Sequence, residues 1–414
     1  MTLDMLNRIC PTRPGSDSDA VDGTVPGYVA TPGSVDEASE VMRIATSHEL
    51  RVVPRGAATK LGRGNPPRAC DLVIDVSRMD QVLEHASGDL VARVQAGLPL
   101  ARLQEVLAVA GQQLALDEPA PGSTIGGMLA TAASGPRRLL YGTPRDLVIG
   151  VTAIRPDGTV ARSGGKVVKN VAGYDLGKLY TGSYGTLGLI VEVAFRLHPR
   201  PASSAVVSAT ATDARAAHAR VQDLLHSQLV PAAIEIDRPN PRSPITVAAL
   251  FEGEPQGVEA RCATTRRLLG EGAVATRATP PWWGHFPAGE GAVVIKVSAR
   301  IAALAEVLDA VAEAGEQTDP GWLAPAVRGS AGTGVLHVGL PARAPAPSVA
   351  RFLDRLREAV SAHDGSAVIV GAPREVRAAT DVWGPVRGLS LMRRVKDQFD
   401  PEHRCSPGRF VGGI

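Results

Sequence analysis

Arg51-Val52-Val53-Pro54-Arg55-Gly56-Ala57-Ala58-Thr59-Lys60-Leu61-Gly62 is the stretch on which the fold turns. Two β-branched residues run into a proline and then into a loop of small residues, with a threonine and two cations among them. So little side-chain bulk lets backbone N–H groups converge on an anion, with the Thr59 hydroxyl as one more donor, and a diphosphate is the natural guest. A plain turn after a strand also accounts for these residues, so the neighbours must decide. Upstream, residues 26–32 (PGYVATP) read as a short strand. Ser34 opens a helix with Glu37 three residues later, in the manner of a capping box. Val35, Ala38, Val41, Met42, Ile44 and Ala45 form its apolar stripe. Strand, helix, strand and loop make a βαβ unit, with the loop at the end of the second strand where anions bind in α/β folds. There is no G-x-G-x-x-G and no helix opens directly from the loop, so a nicotinamide-type nucleotide fold is not indicated.

Downstream, residues 71–75 and 90–97 are two more strands and 98–110 a helix stopped by Gly111. A second small-residue loop, PAPGSTIGGMLAT (119–131), then runs directly into a helix. A helix N-terminus carries partial positive charge and unpaired donors, which favours phosphate. Two such loops suit a diphosphate gripped from both sides, although glycines used only for turning remain open as a reading. Residues 146–154 and 160–162 flank Arg155-Pro156-Asp157-Gly158, a strong hairpin signal.

A chain of 414 residues is long enough for two or three domains, and 44% hydrophobic with 21% charged residues is ordinary for a soluble globular protein. A net charge of +2 gives no field for nucleic acid or a membrane surface. Cys10, Cys70, Cys262 and Cys405 form no C-x-x-C pair, so neither a zinc site nor an iron–sulfur cluster is encoded locally, and no metal site is expected. Residues 1–19 lack a signal-peptide pattern and no apolar run reaches the roughly 18 residues of a membrane span. The expected location is cytoplasmic, with any membrane association through partner subunits.

PRGAATKLG (54–62), PGSTIGGMLAT (121–131) and KNVAGYDLGKLYTGSYGTLGLI (169–190), in that order and spacing, resemble the FAD-binding domain of the vanillyl-alcohol oxidase and p-cresol methylhydroxylase superfamily. Within it, the chain is most similar to the FAD-binding E subunits of bacterial glycolate oxidase. The resemblance implies non-covalent FAD. Its pyrophosphate would be held by Arg55, Gly56, Ala57, Ala58, Thr59, Lys60, Leu61 and Gly62, with Pro121, Gly122, Ser123, Thr124, Ile125, Gly126 and Gly127 on the other side and Thr131 beyond. Gly182, Ser183, Gly185, Thr186 and Gly188 would line the cofactor, and Ile190 would border its adenine. Many catalytic relatives carry glutamate at the position of Tyr184. Some relatives tether the flavin through a histidine or cysteine beside these loops. Here Cys70 and His85 are the nearest, on the wrong segments, so the FAD is expected to dissociate.

From Ala205 the pattern becomes β-α-β-β-α-β: strands at 206–209, 233–236, 246–250 and 273–275, with helices at 213–225 and 258–269. It recurs with strands at 293–297, 335–339 and 367–370 and helices at 301–314 and 348–362. The expected fold is α+β. It has a two-part FAD-binding domain (1–200), an antiparallel-sheet cap of two ferredoxin-like halves (201–384), and a C-terminal segment (385–414) that returns to the first domain. In the resembled family the open face of such a cap roofs the isoalloxazine ring. The tail, with Asp400-Pro401 and Ser406-Pro407-Gly408, is similar to a D-P…N-P-G ending in relatives and reads as packing.

Oxidising a 2-hydroxy acid needs a cation for the carboxylate, a base for the hydroxyl proton and a flavin for the hydride. Lys296 and Arg300 are the candidate cations and His337 the candidate base, against the plain readings of a solvated strand end and a histidine satisfied in a sheet. The self-sufficient dehydrogenases of the superfamily carry G-H-x-G-D-G-N-x-H, whereas here VLHVGLP (335–341) lacks the acid, the asparagine and the second histidine. Trp282-Trp283-Gly284-His285-Phe286, the one aromatic cluster, reads as buried in the cap core. The expected function is an FAD-binding subunit of a glycolate-oxidase-like complex, passing electrons from glycolate or D-lactate toward a second flavin subunit and an iron–sulfur subunit. A stand-alone FAD-dependent 2-hydroxy-acid dehydrogenase and a non-catalytic assembly subunit of the same fold remain as alternatives.

Overall fold

The computed structural model describes residues 2–118, 120–165, 174–289, 291–319 and 323–414. Pro119 and the 169–173 part of the third motif lie outside them. The chain divides into two compact units, one of Met1–Ala133, Thr143–Arg200 and Val386–Ile414, the other of Ser134–Gly142 and Pro201–Pro385.

The first unit contains a four-stranded sheet and a five-stranded sheet. In the smaller one Tyr28–Ala30 and Val52–Arg55 both run parallel to Leu72–Asp75, which lies between them. The βαβ unit read from the sequence is therefore split by the following strand. The reason is burial: Leu72, Val73 and Ile74 are each fully buried, and a strand apolar on both faces takes the centre of a parallel sheet. The connecting helix Val35–Ser47 begins at Ser34, whose hydroxyl accepts from the Glu37 N–H at 3.1 Å, while the Glu37 carboxylate accepts from the Gly33 N–H at 2.7 Å. Its buried face is Ala38, Ser39, Val41, Met42, Ile44 and Ala45.

The five-stranded sheet is antiparallel, in the order Val82–Ala86, Val91–Gln95, Leu189–Arg196, Val148–Ile154, Val160–Gly164. Its last two strands are the hairpin expected around Arg155–Gly158, closed by the Arg155 N–H donating to the Thr159 carbonyl at 2.9 Å. The tail runs beside Val52–Arg55. The Val52 N–H donates to Arg404 O at 2.9 Å, the Ser406 N–H donates to Val52 O at 2.8 Å, and Cys405 bridges Val52 in parallel. Lys396, fully buried, holds the tail down. Its ammonium donates to Thr186 O at 2.7 Å, Cys405 O at 2.9 Å and the Asp400 carboxylate at 2.5 Å.

The second unit is an eight-stranded antiparallel sheet. Ser203–Ala211, Ala233–Arg238, Ile245–Gly253 and Val274–Thr276 form one half, and Val293–Ser298, Ala326–Ser330, Val335–Leu340 and Ser366–Gly371 form the other. Numbered within each half, the strands lie in the order 4-1-3-2, and the halves join edge to edge through the pairing of Ala233–Arg238 with Ala326–Ser330. This is the doubled β-α-β-β-α-β cap expected from the sequence, with Ala326–Ser330 added as the strand the periodicity did not reveal. Ala-Val-Arg-Gly-Ser lacks a β-branched run, and its partners supply the sheet around it. Helices Ala214–His226, Pro255–Leu269, Leu304–Thr318 and Ala346–Ser361 cover one face, onto which Val293, Ile295 and Val297 pack. Alternation then puts Val294, Lys296 and Ser298 on the other face.

Candidate cofactor site

A pocket with a cavity volume of about 100 Å³ opens in the first unit. It is lined by Val53, Pro54, Arg55, Gly56, Ala57, Ala58, Thr59, Lys60 and Leu61 from the first loop, and by Thr124, Gly126, Gly127, Ala130 and Thr131 from the second. Tyr184, Gly185, Gly188, Leu189 and Ile190 form a further wall, with Val76, Ala96, Ser406 and Arg409. Of the residues singled out in the sequence, Gly62, Pro121, Gly122, Ser123, Ile125, Gly182, Ser183 and Thr186 do not line it. Ser123 still reaches it indirectly, because the Lys60 ammonium donates to its hydroxyl.

The first loop has the properties of an anion nest. Among the described residues the N–H groups of Gly56, Ala57, Ala58, Thr59 and Lys60 have no hydrogen-bond partner in the protein, and Ala58 adopts φ +59°. A left-handed residue within such a run turns successive N–H groups toward one point. Ala57, Ala58 and Thr59 are exposed, Gly56 is half-buried and Lys60 is buried. Thr59 Oγ accepts from the Lys60 ammonium at 3.1 Å and lies 3.4 Å from the Ser123 hydroxyl. Lys60 is buried, and desolvation pushes its ammonium down to about 8.

Arg55 serves differently from the sequence expectation. Its guanidinium binds Asp75 at 2.8 and 3.1 Å and Asp19 at 2.9 Å. With its charge engaged by two carboxylates it anchors the start of the loop, and Lys60 is left as the cation of the nest. Asp19 also receives Arg13, which holds its carboxyl well below the usual range.

The second loop also departs from its reading. The Ile125 N–H donates to Leu98 O at 2.9 Å, the Gly126 N–H donates to Ala96 O at 2.8 Å, and the Gly127 N–H donates to the Thr124 hydroxyl at 3.3 Å. The first turn of helix Ile125–Thr131 therefore has no spare donors for phosphate. Its glycines answer to packing: a Cβ on Gly126 would lie 2.8 Å from the Ala96 Cβ, and one on Gly56 would lie 2.3 Å from the Thr124 hydroxyl. They let the helix sit on its neighbouring strand and let the two loops meet.

The third wall carries strain. Ten non-glycine residues among those described have positive φ, and three of them, Ala58, Tyr184 (φ +56°) and Ser406 (φ +45°), line this one pocket. Such conformations cost of order 1–3 kcal/mol each and gather at ligand sites. The Tyr184 ring stacks at 5.6 Å on that of Phe410. Ser406 and Arg409 were not among the expected site residues, since the bond between residues 406 and 52 leaves no local signal.

Among the described residues no histidine or cysteine lines the pocket. Cys70 is buried elsewhere, with burial pushing its thiol up to about 12, and the His85 Nε2 pairs with Gln112 at 2.9 Å. Among the described residues no group of His, Cys, Asp and Glu is arranged to hold a metal, and no helix is long and apolar enough to cross a membrane.

A second polar grouping lies on the face of the eight-stranded sheet opposite the four long helices. Register places Lys296 opposite His337, His337 opposite Arg328 and Arg328 opposite Asp237. Arg328 binds Asp237 at 2.7 Å and donates to Phe286 O at 2.9 Å, and the Phe286 ring stacks edge-on to His337 at 4.9 Å. The aromatic cluster thus sits beside this row. Trp282 and Trp283 pack half-buried on a small patch containing Val206, Ala233 and Leu250, apart from the main helix-covered core. Arg300 is not brought to the row. It is exposed, and its guanidinium faces Asp364 at 3.8 Å and Ala362 O.

Residues 26–164 match the family of FAD binding domains, and residues 198–410, more than half of the chain, match the C-terminal domain of FAD linked oxidases. The chain belongs to the FAD-linked oxidases, and FAD is its cofactor. It is 37% identical over 221 residues to glycolate oxidase subunit GlcD of Bacillus subtilis (strain 168), a match covering 52% of this chain and 46% of that one. It is also 37% identical over 167 residues to glycolate oxidase subunit GlcE of Escherichia coli (strain K12), covering 40% and 47%. Each match thus spans less than half of the relative's own length. The solved structure of p-cresol methylhydroxylase with substrate bound superposes with a TM-score of 0.76 at 14% identity, over 99% of this chain and 96% of the other, a likeness of fold.

Proposed function

We propose that this chain is an FAD-dependent oxidoreductase subunit of a glycolate-oxidase-like assembly, its flavin taking electrons from a 2-hydroxy acid such as glycolate or D-lactate. The observation that carries the reading is the run of five unpartnered amide N–H groups, Gly56 to Lys60, on an open pocket. Left to water these donors gain little, whereas a diphosphate would accept from several at once, with Thr59 and Lys60 adding a hydroxyl and a charge. Gly185, Gly188 and Ile190 would face the remainder of the dinucleotide. The bound flavin supplies a two-electron acceptor.

The protein's own part in the oxidation falls to the sheet of the second unit. Lys296 supplies a positive charge for the carboxylate, and His337, one strand away in register, supplies an imidazole for the hydroxyl proton. Arg328, opposite His337 on the next strand, is held by its bond to Asp237. Onward transfer calls for a second flavin subunit and an iron–sulfur subunit, because all four cysteines of this chain are buried and dispersed. The relatives named as subunits support such an assembly. The Lys296–His337 row favours one other reading, a dehydrogenase that works alone.

Anaerobic addition of glycolate or D-lactate to the purified, FAD-loaded chain is expected to bleach the flavin. Lys296→Ala should raise the substrate concentration needed for bleaching by roughly 30-fold or more, the loss of about 2 kcal/mol of charge pairing, with FAD still bound. Unchanged reduction by the variant removes Lys296 from the site. A flavin that only dithionite reduces indicates a relay subunit fed by a partner.

Lys60 gives the site a pH dependence of defined sign. Its ammonium titrates near 8 in the unliganded pocket, and a diphosphate beside it favours the charged form, so binding raises its pKa. Binding then takes up a proton above pH 8, and FAD affinity falls as pH rises from about 8 to ~10, about tenfold for each pH unit by which the ligand raises the pKa. A dissociation constant flat across this range, or a slope retained in Lys60→Met, contradicts the placement of Lys60 at the diphosphate.

A further inference from the structure

The C-terminal tail does more than pack. Ser406 is 1% exposed, and its hydroxyl has no hydrogen-bond partner in the protein, yet it lines the pocket. A buried hydroxyl left unbonded is costly, and the residue also holds φ +45°, which a serine adopts at a further cost. Both costs fall on one residue whose surroundings are otherwise heavily specified. Its N–H donates to Val52 O at 2.8 Å, and Lys396 fixes Cys405 O at 2.9 Å on one side. On the other side Arg409, 3% exposed, donates to Leu61 O at 2.7 Å and Arg63 O at 2.9 Å. The Arg68 N–H donates to Pro407 O at 2.9 Å and the Asn65 N–H donates to Arg409 O at 3.0 Å. Packing alone calls for none of this at residue 406, where glycine would adopt the backbone without strain and alanine would bury no polar group.

We propose that Ser406 is a cofactor-binding residue, its hydroxyl hydrogen-bonding the FAD, and that the tail is the wall that closes the cofactor site, with Arg409 as a positioning residue for the loop bearing the amide nest. The inference rests on the reading of the pocket as the FAD site and adds to it a segment some 220 residues beyond the last expected ligand. The bound dinucleotide, rich in acceptors, supplies the partner the protein withholds.

Three full-length proteins test this: the wild type, Ser406→Ala and Ser406→Gly. Each is stripped of flavin and titrated with FAD by flavin fluorescence, and the melting temperature of each apoprotein is recorded. Both variants lack the hydroxyl, but only glycine relieves the backbone. The expected result is that both bind FAD about five- to tenfold more weakly than wild type, while the Ser406→Gly apoprotein melts no lower than wild type. Two outcomes overturn the proposal: affinity equal to wild type in both variants, and affinity lost in Ser406→Ala but restored in Ser406→Gly, which is the mark of a purely conformational role. Failure of the wild-type chain itself to take up FAD overturns the pocket assignment beneath it, and is told apart by that control.

Discussion

Ala57→Glu is expected to weaken FAD binding by at least about a hundredfold, roughly 3 kcal/mol, with the fold unchanged. Ala57 is exposed, lines the pocket and contributes one of the five unpartnered N–H groups. A carboxylate there sets like charge against the diphosphate and offers the nest an internal anion to fold around. Ala57→Gln adds the same bulk without the charge and should lose clearly less. Isothermal titration of both variants, beside an unfolding curve for each, separates charge from bulk. Equal loss in the two would mean that only space matters at this position, and no loss in either would remove the loop from the site. Glycine substitutions in the same motifs would not discriminate. Side chains at Gly56 and Gly126 collide with Thr124 and Ala96, so they disturb packing before any ligand arrives.

Lys396→Ala is expected to destabilise the first unit by about 3–5 kcal/mol. Lys396 and Asp400 are both fully buried, 2.5 Å apart. Removing the ammonium strands a carboxylate without its counter-ion, which is far more costly than the net worth of the pair. It also leaves Thr186 O and Cys405 O without this donor. Asp400 still accepts from the Cys405 N–H at 2.7 Å and the Arg404 N–H at 3.0 Å. Lys396→Met combined with Asp400→Leu should therefore recover only part of the loss. Because these bonds join the Tyr184–Gly188 wall to the tail, FAD affinity should fall along with stability. A urea midpoint for Lys396→Ala within experimental error of wild type would show that the buried pair does not hold the tail.

Much of the fold and part of the site were legible in the sequence, and the difference follows chain separation. The small-residue loop at 55–61 was readable because its property, a lack of bulk after a strand, is local. Arg55 and Lys60 were both read as its cations, and the carboxylates that engage Arg55 were not legible because Asp19 and Asp75 lie 36 and 20 residues away. The second loop was found, but its helix N-terminus was credited with free donors that Leu98 O and Ala96 O occupy. Those carbonyls belong to a strand end and turn that only the folded unit brings against the helix. In the second unit, Lys296 and His337 emerged from the sequence as separate candidates and antiparallel register made them neighbours. Arg300, only four residues from Lys296, turns away to Asp364. Ser406 and Arg409 carry no motif of their own that names a ligand. What marks them is a burial and a backbone conformation that appear only once the tail is seated.

Non-covalent FAD binding at the pocket built on Gly56 to Lys60 is the proposal on which the rest depends. The most direct measurement is to denature the purified, yellow chain with acid, separate protein from supernatant, and then titrate flavin-stripped chain with FAD. All flavin is expected in the supernatant as FAD, with one FAD taken up per stripped wild-type chain and at least about a hundredfold more FAD needed by Ala57→Glu. Flavin remaining with the precipitated protein, or a stripped wild-type chain that takes up none, would contradict it.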